Sequence, residues 1–323
     1  MSDNVKKTIW LLGTGPMGVE YGKVLQSLQV PFEVIGRGAE SATKFEAVTG
    51  IAPRIGGLSD FLRNPAEIPL YAIVAVSVEQ LASVAEQLLD AGVKKILLEK
   101  PGALTVSELE SVVHKAEQKQ AEVFIAYNRR FYSSVMKAEE LIREDGGVTS
   151  FQFEFTEWSH VIEGLKKAPG VKEQWFYVNS THVIDMAFFL GGKPKQLQSF
   201  TAGGTRWHQS ASVFAGAGIS ENGALFSYHA NWEAPGRWGL ELLTKKHRFI
   251  LRPLEKLQVQ NIGSVTQEFV VIDDSLDVQF KPGVYREVSA FLHGENTRLS
   301  SVRDQLKSYT YFEMINPQQS KHK

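Results

Sequence analysis

From residue 8 the chain alternates short apolar runs with segments whose apolar residues recur at helical spacing. "TIWLLG" predicts a strand, and "PMGVEYGKVLQSL" behind it predicts a helix resting on Val19, Leu25 and Leu28, with Pro16 suited to its first turn. "FEVIG" predicts a second strand. "LYAIVAV", residues 70–76, is continuously apolar, as expected of a strand covered on both faces of a parallel sheet. A helical pattern from about Glu79 to Ala91 stops at Gly92, and "KILLE" reads as the next strand. Thr105 and Glu108 have capping-box spacing ahead of "LESVVHKAEQ", and "EVFIAY" closes the series. This βαβ alternation predicts a doubly wound parallel sheet.

After about residue 126 the pattern changes. In "SFQFEFTE", Phe151, Phe153 and Phe155 fall on one face and Gln152, Glu154 and Thr156 on the other, the alternation of a strand with one solvated side. "KQLQSFTA", "GALFSYHANW", "GLELLTKKHRFIL" and "QEFVVID" are further strand-like runs, interrupted by two helical segments, "HVIDMAFFLGG" and "YREVSAFLHG". The expected class is α/β. Residues 1–126 form the parallel-sheet domain, and 127–323 an α+β domain with a large, open, mainly antiparallel sheet. "RDQLKSYTYFEMI" is a last helix that could pack back on the first domain.

Composition agrees with two domains: 323 residues, 43% of them hydrophobic, can bury a sizeable core. Lysine and arginine total 35 against 36 aspartate and glutamate, a formal charge of -1 that makes no electrostatic case for nucleic acid or a membrane surface. The expected partner is a small molecule. Without cysteine there is no disulfide, thiolate metal site or cysteine nucleophile, which suits a reducing compartment, and no metal is expected. The opening "MSDNVKK" lacks the apolar core of a signal peptide, and no apolar run approaches the roughly 20 residues of a membrane span. The expectation is a soluble, cytoplasmic protein.

"GTGPMG" sets Gly13, Gly15 and Gly18 in GxGxxG spacing between the first strand and the first helix, with Pro16 and Met17 inside the loop. Gly13 allows the tight turn, Gly15 lets the backbone approach a pyrophosphate, and Gly18 lets the helix pack close. The helix N-terminus then offers N–H groups to the anion. An NAD site usually presents an acid after the second strand, to hold the ribose 2′-hydroxyl. Here "VIGRGAES" has Gly36 there, with Arg37 and Ser41 nearby, so Arg37 pairing with a 2′-phosphate and Ser41 donating to it favour NADP(H) over NAD(H). The plainer alternative is a solvated loop arginine beside a helix-capping serine.

Lys100 comes at the carboxyl end of "KILLE", where ligands sit in doubly wound sheets. A lysine desolvated beside a cationic cofactor can have a depressed pKa, suited to proton exchange with an alcohol or carbonyl. Pro101 fixes the backbone and could be cis, aiming Lys100. The alternative is an ordinary surface lysine at a strand end.

The GxGxxG loop, "EKP" (Glu99 to Pro101) after a parallel strand, "YNRRF" (Tyr127 to Phe131) and the sheet-rich second half resemble the Gfo/Idh/MocA oxidoreductases over nearly the whole chain. The resemblance implies a Rossmann domain, a second domain with a large open sheet, NAD(P) use, and sugar or cyclitol substrates. It makes Lys100 the catalytic lysine, puts Glu99 and Asn128 at the cofactor and Tyr127 and Arg129 at the substrate, and implies a homodimer or homotetramer. Family dehydrogenases commonly carry an aspartate four residues before a histidine. This chain keeps His182 but has Val178 at that position, with Asn179 beside it. In "AVSVEQL" Val78 and Gln80 stand where relatives often have other residues, and Ser77 remains as a ribose contact.

His182, Asp185 and Phe189 share one side of their helix, so Asp185 is expected to orient His182 as part of the catalytic set. The alternative makes Asn179 or Ser180 the helix N-cap, His182 an interface residue and Asp185 a first-turn acid. Five of the six tryptophans, Trp158, Trp175, Trp207, Trp232 and Trp238, lie in the second half, and Trp158 (with His160) and Trp175 are the better candidates for a sugar-binding wall. Lys166, Lys167 and Lys172 could meet a substrate anion or simply be solvated. The reading is a nicotinamide-dependent dehydrogenase or reductase acting on CH–OH or C=O of a sugar, sugar derivative or nucleotide-sugar. Its rivals are a cofactor-binding sensor without chemistry and a dehydrogenase for a non-sugar carbonyl or imine.

Overall fold

The computed structural model describes residues 8–65 and 67–317, so the polar N-terminal stretch, residues 1–7, lies outside the described residues. The chain divides into two compact units, one running to Asn128 and including Leu276–Lys307, the other comprising Arg129–Ser275 and residues from Ser308 on. The sequence reading placed everything after residue 126 in the second domain; the helix Val284–His293, one of the two segments assigned there, instead belongs to the first unit. Its Phe291 packs edge-on against Tyr71 at 5.5 Å and Phe124 at 6.3 Å.

In the first unit β1 (Ile9–Leu12), β2 (Phe32–Gly36), β3 (Arg54–Ile55), β4 (Tyr71–Val74), β5 (Lys95–Glu99) and β6 (Glu122–Ala126) form a parallel sheet in the order β3-β2-β1-β4-β5-β6. A short strand, Ser300–Ser301, adds antiparallel to β6. This is the doubly wound order, and it reverses between β1 and β4, whose carboxyl ends therefore open the ligand crevice. Leu11, Ile73, Val74, Leu97 and Leu98 are fully buried, each worth about 1.5–3 kcal/mol of transfer free energy. The first helix, Pro16–Ser27, buries Tyr21, Val24 and Leu25, while Val19 and Leu28 are only half-buried. The Thr105–Glu108 capping box forms as expected, each side chain accepting the other residue's backbone N–H.

The second unit is built on eight strands: β7 (Ser150–Glu154), β8 (Pro194–Ala202), β9 (Val213–Ser220), β10 (Leu225–Asn231), β11 (Gly239–Leu243), β12 (His247–Leu251), β13 (Gln258–Asn261) and β14 (Glu268–Phe269). Their order is β14-β13-β12-β11-β7-β10-β9-β8, antiparallel throughout except for the parallel pair β7–β10. The helix Thr181–Gly191 covers one face, where Phe188 meets Phe153 at 5.5 Å and Phe226 at 5.2 Å. The other face carries exposed Gln152, Ser227 and His229. Glu154 and Thr156, expected on a solvated side, are buried: Glu154 pairs with Arg252 at 2.8 Å, and Thr156 Oγ1 accepts the Asn231 N–H. A helix absent from the sequence reading, Ser133–Glu144, follows the "YNRRF" segment. No helix among the described residues is long and apolar enough to cross a membrane.

Candidate active site

Two of the three loop glycines are required by the fold itself. Gly13 has φ +111°, and a Cβ there would lie 2.3 Å from the Ala75 carbonyl oxygen; a Cβ on Gly18 would lie 2.1 Å from that of Gly13. Gly15 differs. Its backbone is extended, at φ -75° and ψ -176°, and a Cβ would have nothing within 4 Å. Any residue could stand there as far as this chain is concerned, so the bare position suits a group approaching from outside. No side chain caps the helix that begins at Pro16, so its first-turn N–H groups suit an anion, with half-buried Met17 beside them. Gly15→Val is expected to leave the melting temperature within a degree or two while weakening dinucleotide binding by more than about tenfold, read by thermal melts and NAD(P)H titration. Gly18→Ala should instead lower the melting temperature.

The loop opens on a cleft of about 610 Å³ that Arg37, Ser41 and Ser77 also line. Thr14, unremarked in the sequence reading, is buried here and donates from Oγ1 to Ser41 Oγ at 2.8 Å, while Ser41 Oγ donates to the Gly38 carbonyl. It also explains the missing acid: a Cβ on Gly36 would lie 2.7 Å from Thr14 Cγ2. The Arg37 stem packs over Gly57, and among the described residues no carboxylate pairs with it. Ser77 donates to the Glu79 carboxylate.

Lys100, half-buried, directly follows β5, and its bond to Pro101 is cis. Burial pushes the Glu99 carboxyl up, opposed by the Lys100 charge and by the Tyr21 hydroxyl, which donates to Glu99 Oε1 at 2.8 Å. Burial, then Glu99 and Glu287, hold the Tyr21 phenol well above its usual range. Tyr127 needs correcting as a substrate contact. It is 1% exposed, and its hydroxyl donates to Gln305, whose amide donates at 3.0 Å to the Pro101 carbonyl. Tyr127 thus braces the turn that carries Lys100. The Asn128 amide donates to the Pro282 carbonyl at 2.9 Å.

In the second unit the helix Thr181–Gly191 is preceded by a π-helical turn, Phe176–Ser180, a distortion common at functional sites. Neither Asn179 nor Ser180 caps the helix. Asn179 Nδ2 and Ser180 Oγ both donate to Glu157, at 3.0 and 2.9 Å, and the Trp175 indole lies against the same carboxylate. Burial holds the Glu157 carboxyl above its usual range, opposed by Ser180 and by Arg237 at 3.7 Å. The Arg237 guanidinium lies 4.6 Å from the Trp158 ring and 4.5 Å from Trp238, and Arg129 lies 4.7 Å from Trp238. The ring of His182, itself buried, is 6.2 Å from that of Trp238. The structure therefore gathers Arg129, Trp158, Trp175, Asn179 and His182 around two residues the sequence reading passed over, Glu157 and Arg237. Their one signal is adjacency, in "EW" and "RW".

Asp185 does not orient His182. Arg130 Nε donates to Asp185 Oδ2 at 2.8 Å and Nη2 to Oδ1 at 2.5 Å, and the same guanidinium lies 4.8 Å from the Phe189 ring. The helix side expected to serve His182 is taken up by Arg130. Lys166 and Lys167 are exposed, and Lys172 donates to the Glu163 carbonyl. Among the described residues no group of three or more His, Asp or Glu side chains could hold a metal.

Residues 7–127 match the model of the Gfo/Idh/MocA oxidoreductases, described as an oxidoreductase family with an NAD-binding Rossmann fold. This stretch belongs to that family. Solved structures match the fold over nearly the whole chain. UDP-N-acetylglucosamine 3-dehydrogenase from Acidithiobacillus ferrooxidans is 14% identical, with 96% of each chain covered at a TM-score of 0.72. Levoglucosan dehydrogenase, solved with NADH and levoglucosan, is 19% identical, with 95% of each chain covered at 0.74. An NAD-binding oxidoreductase from Klebsiella pneumoniae is 14% identical, with 96% of each chain covered at 0.75. At such identities the likeness is one of fold. A search of the curated proteins finds no match. The family model supports an NAD-binding oxidoreductase, and the neighbours support the fold of both units. Val178 falls in the π-helical turn.

Proposed function

We propose that this protein transfers a hydride between a nicotinamide dinucleotide and the carbinol or carbonyl carbon of a sugar, sugar derivative or nucleotide-sugar. The observation that carries the reading is Gly15, a glycine with no reason in its own chain, at the crevice end of a doubly wound sheet. When bound, the nicotinamide accepts or supplies the hydride. Lys100 takes the hydroxyl proton on its neutral Nζ during oxidation, or gives it back during reduction, and the Tyr127–Gln305–Pro101 chain holds its turn. His182 and the tryptophans of the second unit suit the polar and C–H faces of a sugar. UDP-N-acetylglucosamine 3-dehydrogenase and levoglucosan dehydrogenase among the structural neighbours favour that substrate class.

NADP(H) is the preferred cofactor in this reading. Thr14 keeps a side chain off position 36, so no carboxylate stands there, and Arg37 and Ser41 line the cleft beside it. The protein is taken to work in the cytoplasm as a homodimer or homotetramer. Energy transfer from tryptophan to reduced nicotinamide, titrated with NADPH and NADH, tests the site. NADPH is expected to bind more tightly, and Arg37→Ala to remove most of that advantage, roughly tenfold or more. Equal affinities in the unaltered protein would withdraw the role of Arg37, and binding of neither would withdraw the function. A second reading, a cofactor-binding sensor without chemistry, is favoured by Val178 and by the engagement of Asp185 with Arg130. Cofactor reduction with any sugar decides against it.

A further inference from the structure

Five other arginines of the second unit have carboxylate partners: Arg130 has Asp185, Arg252 has Glu154, Arg248 has Glu241, Arg206 has Glu163 at 3.9 Å, and Arg237 lies near Glu157. Arg129 has none among the described residues, and its Nε is buried without a hydrogen-bond partner. Burial draws its guanidinium below the ordinary arginine value, opposed by Tyr132, Glu255 and Glu157 and aided by nearby Arg237. What it does have are ring faces, Trp238 at 4.7 Å and Tyr132 at 6.0 Å. A ring face offsets part of the charge and satisfies none of the N–H donors. Glu157 cannot turn to it, because that carboxylate is 1% exposed and already accepts from Asn179 and Ser180. Two guanidinium groups thus share one indole, with Glu157 engaged elsewhere and Glu255 acting on Arg129 only at a distance, without a hydrogen bond. Buried charges in proteins are otherwise paired.

We infer that this cluster receives an anionic group of the substrate, a carboxylate or phosphoryl oxygen, with Arg129 supplying the charge-assisted donors and Trp238 and Arg237 the walls. The inference rests on reading the cluster as the substrate-holding part of the dehydrogenase proposed above. The planar guanidinium fork matches either oxyanion in two-point fashion, whereas a neutral hydroxyl leaves the charge uncompensated. The substrates implied are uronates and aldonates or phosphorylated sugars.

The test is tryptophan fluorescence of the full chain, with cofactor present, titrated with glucuronate, a hexose phosphate and glucose. One of the two anionic sugars is expected to bind roughly ten- to a hundredfold more tightly than glucose, the effect of a charge-assisted hydrogen bond, and which one it is names the oxyanion. Arg129→Met should close that gap. Arg129→Lys, which keeps the charge and loses the fork, should restore part of it, with melting curves showing both variants folded. Glucose binding as tightly as both anions, binding of none of the three, or a gap unchanged in Arg129→Met overturns the inference. Absorbance of reduced nicotinamide in the same samples separates the two claims. Anion-selective binding with no cofactor reduction sinks the dehydrogenase reading and leaves the anion site, and reduction by glucose without anion preference does the reverse.

Discussion

Replacing Lys100 with methionine is expected to lower kcat by about 10²- to 10⁴-fold, the loss that follows removal of a general acid or base. Methionine keeps an unbranched apolar stem of similar reach and removes the exchangeable proton. In the proposed reading the glycine loop after β1 and Arg37 after β2 hold the phosphates, which supply most of the dinucleotide affinity, and Lys100 after β5 stands at the nicotinamide end. NADPH and NADH titrations of the variant should therefore match those of the unaltered chain, so a fall in turnover reports on chemistry. Turnover near normal would end the assignment of Lys100 and move the search for the proton donor to the second unit. A parallel loss of dinucleotide affinity would point to a structural role at the Pro101 turn, which Tyr127 and Gln305 already brace.

Asp185→Ala should act on stability first. It removes a carboxylate whose side chain is 5% exposed and takes from Arg130, 13% exposed, its two-point ion pair. Breaking one side of such a pair costs about 3–5 kcal/mol. Denaturant unfolding should show that loss, and Arg130→Met combined with Asp185→Leu should recover much of it, since a buried ion pair can be replaced by apolar groups at little cost. A single variant of normal stability and lost turnover would return Asp185 to the chemistry.

The first unit was legible in the sequence because parallel strands buried on both faces leave unbroken apolar runs. β1, β4 and β5 coincide with "IWLL", "YAIV" and "KILLE". The helix Ser133–Glu144 escaped because its buried side is Ser133, Ser134, Val135, Ala138 and Ile142, small or polar at three of its five positions. β9, "VFAGAGIS", reads like a loop until its neighbour is known: a Cβ on Gly216 would lie 2.3 Å from the Tyr228 hydroxyl. "QEFVVID" yields only the two residues of β14, and Val271 is 96% exposed. For the candidate site, the glycine loop, Arg37 and Ser41 come from local patterns, and the structure lines one cleft with them. Asp185 was misjudged because helical spacing shows which residues share a side and cannot show what faces it, and Arg130 comes from a segment 55 residues earlier. Glu157 and Arg237 were missed for the same reason, their partnership being made by the sheet.

The closeness of the Thr14 methyl to where a Cβ on Gly36 would stand ties positions 14 and 36 together. An acidic residue at 36, the direct route to recognising an unphosphorylated ribose, meets the Thr14 methyl before it can reach a ligand. Thr14 must shrink first, and in doing so it releases Ser41 from the hydrogen bond that now holds it. Any residue larger than glycine at 36 therefore has a preferred order of arrival: it is tolerated only after a change at 14 that by itself alters no ligand contact.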